Sequence, residues 1–176
     1  MQLSVNVSAR QFREADFVDQ VSRVLVQTGA DPGRLKLELT ESLLHEKVAD
    51  AIGKMEALAA LGIQFSMDDF GTGYSSLSYM TQLPLSQVKV DKFFVHNIGL
   101  DPKVESIIQA IIGLARNLEL EIVAEGVETH AQREFLMRHG CDVCQGYLFG
   151  VPQPLESYER ELDTKLPSSD SMVIRQ

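Results

Sequence analysis

Along this chain, short runs rich in β-branched and apolar residues alternate with longer stretches in which apolar residues recur every three or four positions. The short runs are Leu3–Val7, Leu35–Leu39, Ile63–Met67, Gln87–Val90, Glu121–Ala124 and Val143–Tyr147. Their length and composition predict six strands. Between them, Val104, Ile107, Ile108, Ile111, Leu114, Ala115 and Leu118 trace one face of a helix. Val48, Ile52, Met55, Leu58 and Leu61 trace another, and Val18, Val21, Leu25 and Thr28 a looser third. Gly29, Gly62 and Gly140 stand where such helices would stop. Strands joined by crossovers this long cannot pair as hairpins, so the pattern predicts an α/β protein built on a parallel sheet, with six units readable.

The polar residues follow the same rhythm. Each predicted strand carries one or two at or near its C-terminal end: Asn6, Glu38, Asp68 with Asp69, Lys89 with Asp91, Glu125 and Gln145. Parallel strands with helical crossovers share one direction, so these ends converge on one rim. Asn6, Glu38, Asp68, Asp69, Lys89, Glu125 and Gln145 are therefore expected to meet, although almost the whole chain separates the first from the last.

That convergence changes the reading of MDDFGTGYSSL, residues 67–77. Alone, the paired acids read as a capped turn. Within a rim of four carboxylates, mutual repulsion would push them toward protonation unless cations intervene. An oxygen-only donor set suits hard ions, Mg2+ or Mn2+. Adjacent aspartates allow one to bridge two ions, the arrangement of two-metal phosphoester hydrolysis. Lys89 would orient the attacking hydroxide or stabilise phosphate charge, and Gln145 would hydrogen-bond ligand or water. The glycine-rich FGTGYSSL would lie over the ions as a mobile loop hinged at Gly71 and Gly73.

Simpler readings stand beside these. Asn6 reads equally as a strand-end turn residue. Glu38 and Glu41 read as acids at a helix start that Thr40 or Ser42 caps. Lys89 reads as one half of a buried ion pair with Asp91 or Glu125. His45, His96, His130 and His139 fall off the rim. Cys141 and Cys144 have a C-x-x-C spacing that suggests metal or redox chemistry. A structural zinc site wants four ligands, however, and two small core residues flanking a strand is the simpler account.

The 176 residues suffice for one domain with a core, and 44% of them are hydrophobic. Twenty-five acids against 16 bases give a net charge of −9, which argues against duplex DNA or an anionic membrane as partner but not against a small phosphate ligand held through metal ions. No stretch approaches the ~18 apolar residues of a membrane span. The start MQLSVNVSAR lacks the basic and then apolar blocks of a secretory leader. Two cysteines make no disulfide framework. A cytoplasmic protein, or the soluble part of something larger, is expected.

The strings NVSARQF, LELTES, DDFGTGYSSL, VKVDKFFV, IVAEGVET and CQGYLFGVPQP occur in that order. Together they resemble the EAL-domain family, the phosphodiesterases of the bacterial second messenger cyclic di-GMP, over Ser4 to Pro154. The resemblance implies a TIM-like (β/α) barrel in which one strand runs against the rest, and hydrolysis of cyclic di-GMP to linear pGpG with Mg2+ or Mn2+. It implies that Asn6, Glu38, Asp68 and Asp69 bind metal, and that Glu125 holds a metal or its water. Lys89 would assist the hydrolytic water, Gln145 would contact the reaction centre, and Glu41 would anchor the GTGYSS loop near a dimer contact. Such domains often dimerise, and often follow sensor modules in a larger multidomain protein.

The name-giving Glu-Ala-Leu segment, with its glutamate ligand, a substrate-contacting arginine and about two strands, lies upstream of NVSARQF in that family. The similar string MEALAAL, residues 55–61, has helical period and lacks the arginine. An incomplete barrel is therefore expected: a partial EAL domain over residues 1–165, a polar, poorly ordered tail over 166–176, and impaired activity for this chain alone. A non-catalytic module that binds cyclic di-GMP or serves a regulatory interaction is the alternative. A receiver-type open α/β domain, with its acid pair as a Mg2+-dependent phosphorylation site, is a third reading, but six polar strand ends exceed what it would use.

Overall fold

The computed structural model describes residues 2–41, 43, 48–71, 80–154 and 156–157. Ser42, His45, most of the glycine-rich loop including Gly73, and the tail at 166–176 lie outside the described residues. Among the described residues, six strands form one sheet in chain order: β1 (Leu3–Asn6), β2 (Leu35–Thr40), β3 (Gln64–Phe70), β4 (Gln87–Val90), β5 (Glu121–Ala124) and β6 (Val143–Cys144). Every neighbouring pair is parallel, as the alternation of strand and helix predicts. The reversed strand implied by the family resemblance is not among the described strands.

The crossovers carry α1 (Ala9–Arg13), α2 (Phe17–Thr28), α3 (Val48–Ala59), α4 (Lys92–His96), α5 (Pro102–Asn117) and α6 (His130–His139). Their ends are set locally. Ser8 and Gln11 form a capping box on α1, and Thr129 and Gln132 form one on α6. Asp101 caps α5 by accepting from Lys103 N at 2.9 Å, with Pro102 next in line. Gly29 and Gly140 close α2 and α6 at φ 67° and 90°, a conformation that favours glycine. MEALAAL lies on α3, where Met55 and Leu58 are fully buried and Glu56 is exposed.

The core lies between one face of the sheet and these helices. Leu37, Leu39, Phe65, Met67, Val88, Val90 and Ala124 alternate along the strands and pack among Met55, Leu58, Ile108 and Leu136. A parallel sheet covered by helices on both faces reads as unbroken apolar runs. Here the intervening positions are Lys36, Glu38, Ser66, Gln87 and Lys89, all buried and all polar. The second face is thus polar rather than apolar.

That face is concave. Three strand spacings, about 14 Å on a flat sheet, separate β2 from β5. Yet Lys36 Nζ on β2 lies 3.1 Å from Glu121 Oε2 on β5. The sheet must curl for the side chains to meet, giving the open, barrel-like arc that an incomplete TIM-like barrel requires.

Two strands depart from their predicted limits by more than one residue. β3 does not stop at Met67 but carries both aspartates within it and ends at Phe70. β6 is only Val143–Cys144. Beyond it the chain stays joined to the β5 segment, Gln145 donating to Ala124 O at 2.8 Å and its carbonyl accepting from Val127 N at 3.0 Å.

Candidate functional site

The polar face of the sheet is built in two layers by strand alternation. The layer nearer the C-terminal ends contains Glu38 from β2, Asp68 from β3, Lys89 from β4 and Glu125 from just beyond β5. Lys89 Nζ lies 2.7 Å from Glu38 Oε2 and 3.6 Å from Asp68 Oδ1, and it is in direct contact with Glu125 Oε1. One buried ammonium therefore joins carboxylates delivered by three other segments. Of the two pairings expected for Lys89 as a simple ion pair, Glu125 is a partner; Asp91 is instead the cap of α4, accepting from Phe93 N at 2.7 Å.

Asp68 and Asp69 reach the same site because β3 is bulged there. Met67 pairs with Val88 and Phe70 with Val90, so three steps along β3 match two along β4. Asp69 absorbs the extra residue at φ 55°. Consecutive strand residues normally point to opposite faces. The bulge re-aims the pair, and oxygens of Asp68, Asp69 and Glu125 all lie within 4.8 Å of one another.

Glu125 is set by its own neighbours. Its N–H donates to Val90 O at 3.1 Å, extending the β5 ladder by one residue. The chain then turns at Gly126, φ 68°, where a Cβ would stand 2.6 Å from that of Lys92 on α4. Only glycine allows so close a pass, and the turn fixes Glu125 against Lys89.

The electrostatics show what the cluster lacks. Burial raises the pKa of Glu125, and Lys89 only partly offsets this. Asp69 is also raised, first by burial, then by Asp68 and by a hydrogen bond and charge shared with Asp91. Burial alone would lower the pKa of Lys89, but Glu125, Glu38 and Asp68 outweigh it and hold the ammonium firmly protonated. One positive charge faces Glu38, Asp68, Asp69 and Glu125, a formal surplus of three negative charges. An oxygen-only donor set with excess negative charge fits hard divalent cations. Asp68, Asp69 and Glu125 are the residues best placed to hold one.

The remaining predicted residues sit around this centre. Asn6, at the exposed end of edge strand β1, is in register with Glu38. Glu41 is buried just after β2. The loop it was expected to anchor falls outside the described residues, apart from Gly71. Gln145 follows β6, its N–H donating to Ala124 O at 2.8 Å, which places it beside the Glu125–Val127 turn. Of the described histidines, His139 packs on Phe135, and His96 faces Glu128 at 3.5 Å on the surface.

The second layer, nearer the N-terminal ends, was not anticipated. Glu121 Oε2 accepts from both Lys36 Nζ and Gln87 Nε2, at 3.1 and 2.5 Å. Its signal is present in the sequence: Lys36 precedes Glu38, and Gln87 precedes Lys89, each by two residues within a strand.

Comparison with protein-family models matches the EAL domain over residues 1–152. The chain belongs to the EAL-domain family. It is 46% identical over 154 residues to the "Bifunctional diguanylate cyclase/cyclic di-GMP phosphodiesterase MucR" of Pseudomonas aeruginosa, covering 88% of this chain and 22% of that protein. Among solved structures, "PaMucR Phosphodiesterase, c-di-GMP complex" superposes with a TM-score of 0.86 at 45% identity, over 89% of this chain and 64% of that one. The manganese/cy-diGMP complex of Klebsiella pneumoniae BlrP1 gives 0.78 at 30% identity, over 86% and 39%. This EAL chain thus spans about a fifth of the length of the curated relatives it matches.

Proposed function

We propose that this EAL domain hydrolyses cyclic di-GMP to linear pGpG, with Mg2+ or Mn2+ held by Asp68, Asp69 and Glu125 and supported by Asn6 and Glu38. The observation that carries the reading is the meeting of these acids around one buried lysine at the C-terminal rim. The complexes of similar EAL proteins with cyclic di-GMP, and of one with manganese, support the substrate and the ion class.

In the reaction, a water oxygen bonds to phosphorus, the P–O3′ bond breaks, and O3′ takes a proton, opening the ring. Bound divalent ions would supply Lewis acidity and the charge that the rim lacks. The protein's own part is positioning. Lys89, a permanent donor fixed among three carboxylates, orients water and stabilises charge on the phosphate oxygens. Gln145 hydrogen-bonds the reacting group, and Glu41 anchors the glycine-rich loop. The partial domain over residues 1–165 would work in the cytoplasm, as a homodimer or as one module of a larger sensor protein.

One observation favours a second reading. Glu38 is tied to Lys89 and lies outside the three-carboxylate group, so a domain that binds the nucleotide without cleaving it is the alternative. Incubation with cyclic di-GMP and Mn2+, followed by anion-exchange chromatography, separates the two. Production of pGpG that a chelator stops is expected. Nucleotide bound but left intact would favour the second reading, and neither binding nor cleavage would contradict both.

A further inference from the structure

Ser66 stands on β3 between Phe65 and Met67, which belong to the apolar core, so its hydroxyl faces the polar side of the sheet. It is fully buried, and its Oγ has no hydrogen-bond partner among the described residues. A hydroxyl taken out of water without a partner is costly, and each such group in a folded protein calls for an explanation. The surroundings of Ser66 supply one. It is in register with Glu38 on β2 and with Gln87 on β4, both buried and both on the same face. The bond from Lys89 to Glu38 spans β3 beside it. Glu38 meets Lys89 through Oε2, and Gln87 meets Glu121 through Nε2. Each also carries an Oε1, which is an acceptor. The serine side chain is shorter than either neighbour and is hydrogen-bonded to neither. One donor thus lies between two acceptors that it does not itself reach.

We propose that Ser66 holds a buried water molecule that bridges it to Glu38 and Gln87. The Ser66 hydroxyl donates to the water oxygen, and the water donates to Oε1 of Glu38 and to Oε1 of Gln87. Three bonds to protein are what a buried water commonly makes. A cation suits the place less well. Lys89 Nζ is already on Glu38 and Lys36 Nζ on Glu121, so a further positive charge would lie between two buried ammonium groups. The water joins the two polar layers, with the Glu38–Lys89 pair on one side and Gln87, Glu121 and Lys36 on the other. Ser66 is thus a positioning residue, acting through the water on the carboxylate of Glu38. Resting on the phosphodiesterase reading, in which Glu38 supports the metal, loss of the water weakens Mn2+ binding severalfold, in the way that losing an outer partner of a metal ligand does.

A crystal structure of the wild-type chain reads the water without reference to activity. Density for one water within ~3.2 Å of Ser66 Oγ, Glu38 Oε1 and Gln87 Oε1 is expected. Ser66 Oγ bonded instead to a protein group, or an ion in that place, would overturn the proposal. Urea unfolding of Ser66→Ala is an independent check. Removing an orphaned hydroxyl stabilises a protein, whereas removing one that is bonded to water leaves the other partners short of a bond. A lowered midpoint is therefore expected, and a raised or unchanged midpoint contradicts the water. Mn2+ titration of the folded variant then reads the coupling, with binding severalfold weaker than in the wild type. If Ser66→Ala does not fold, Ser66→Cys, close in shape but with only a weak donor, poses the same question. Wild-type Mn2+ affinity in the variant overturns the link to Glu38, while the water stands on its density. Cyclic di-GMP left intact by a wild-type chain that binds Mn2+ overturns the phosphodiesterase reading and leaves the water in place.

Discussion

Lys89 Nζ on β4 lies 2.7 Å from Glu38 Oε2 on β2, reaching past the intervening strand β3. Both side chains are almost fully buried, at 5% and 8% exposure. A buried pair of this kind costs little extra while intact, but removing one partner strands the other charge in a poor solvent.

Lys89→Met keeps the length of the side chain and removes its charge. Loss of about 3–5 kcal/mol of stability is expected in metal-free buffer, the range for breaking a buried pair. Urea unfolding measures it. Added Mn2+ should recover part of the loss by neutralising the same carboxylates, whereas hydrolysis should fall by about 100-fold or more, as when an oxyanion donor is lost. Unchanged stability and turnover would remove Lys89 from the centre of the site.

The lower layer is expected to be structural. Glu121→Ala leaves Lys36 buried without its carboxylate and should cost about 2 kcal/mol, below the full buried-pair range because Glu121 is 32% exposed. Replacing both, as in Lys36→Met with Glu121→Met, should cost less than Glu121→Ala alone, since no buried charge remains. A double-mutant cycle by chemical denaturation checks this, with Mn2+ affinity expected to stay near that of the wild type.

Gly126→Ala tests how the turn sets Glu125. The left-handed backbone and the approach to Lys92 make any side chain strained, and a loss of about 1–3 kcal/mol is expected. Because Glu125 must shift to relieve the contact, turnover should fall more than nucleotide binding. Steady-state kinetics beside equilibrium binding would show the split, and an equal fall in both would assign the glycine to folding alone.

Much of this was legible in the sequence, for a physical reason. Strand and helix periods alternate cleanly, and parallel connectivity alone brings Glu38, Asp68, Lys89 and Glu125 to one rim. What stayed hidden depends on interactions between strands. The bulge at Asp69 is a mismatch with β4, and nothing in MDDF announces it. Past the early end of β6, the Gln145 carbonyl accepts from Val127, a partner 18 residues back in the chain that no local pattern reveals. The five-residue helices α1 and α4 are too short to show a period. The curl that joins Lys36 to Glu121 belongs to the sheet as a whole, although the alternating Lys36–Glu38 and Gln87–Lys89 positions hinted at a second polar layer.

Titration of the chain with Mn2+, wild type against Asp68→Asn with Asp69→Asn, followed by electron paramagnetic resonance of the free ion, tests the rim most directly. The wild type is expected to bind saturably, and the double variant at least ~10-fold more weakly while remaining folded, since losing even an outer partner of a metal ligand costs that much. Equal Mn2+ affinity in the two proteins would contradict the claim that the carboxylates at the bulge of β3 hold the ion.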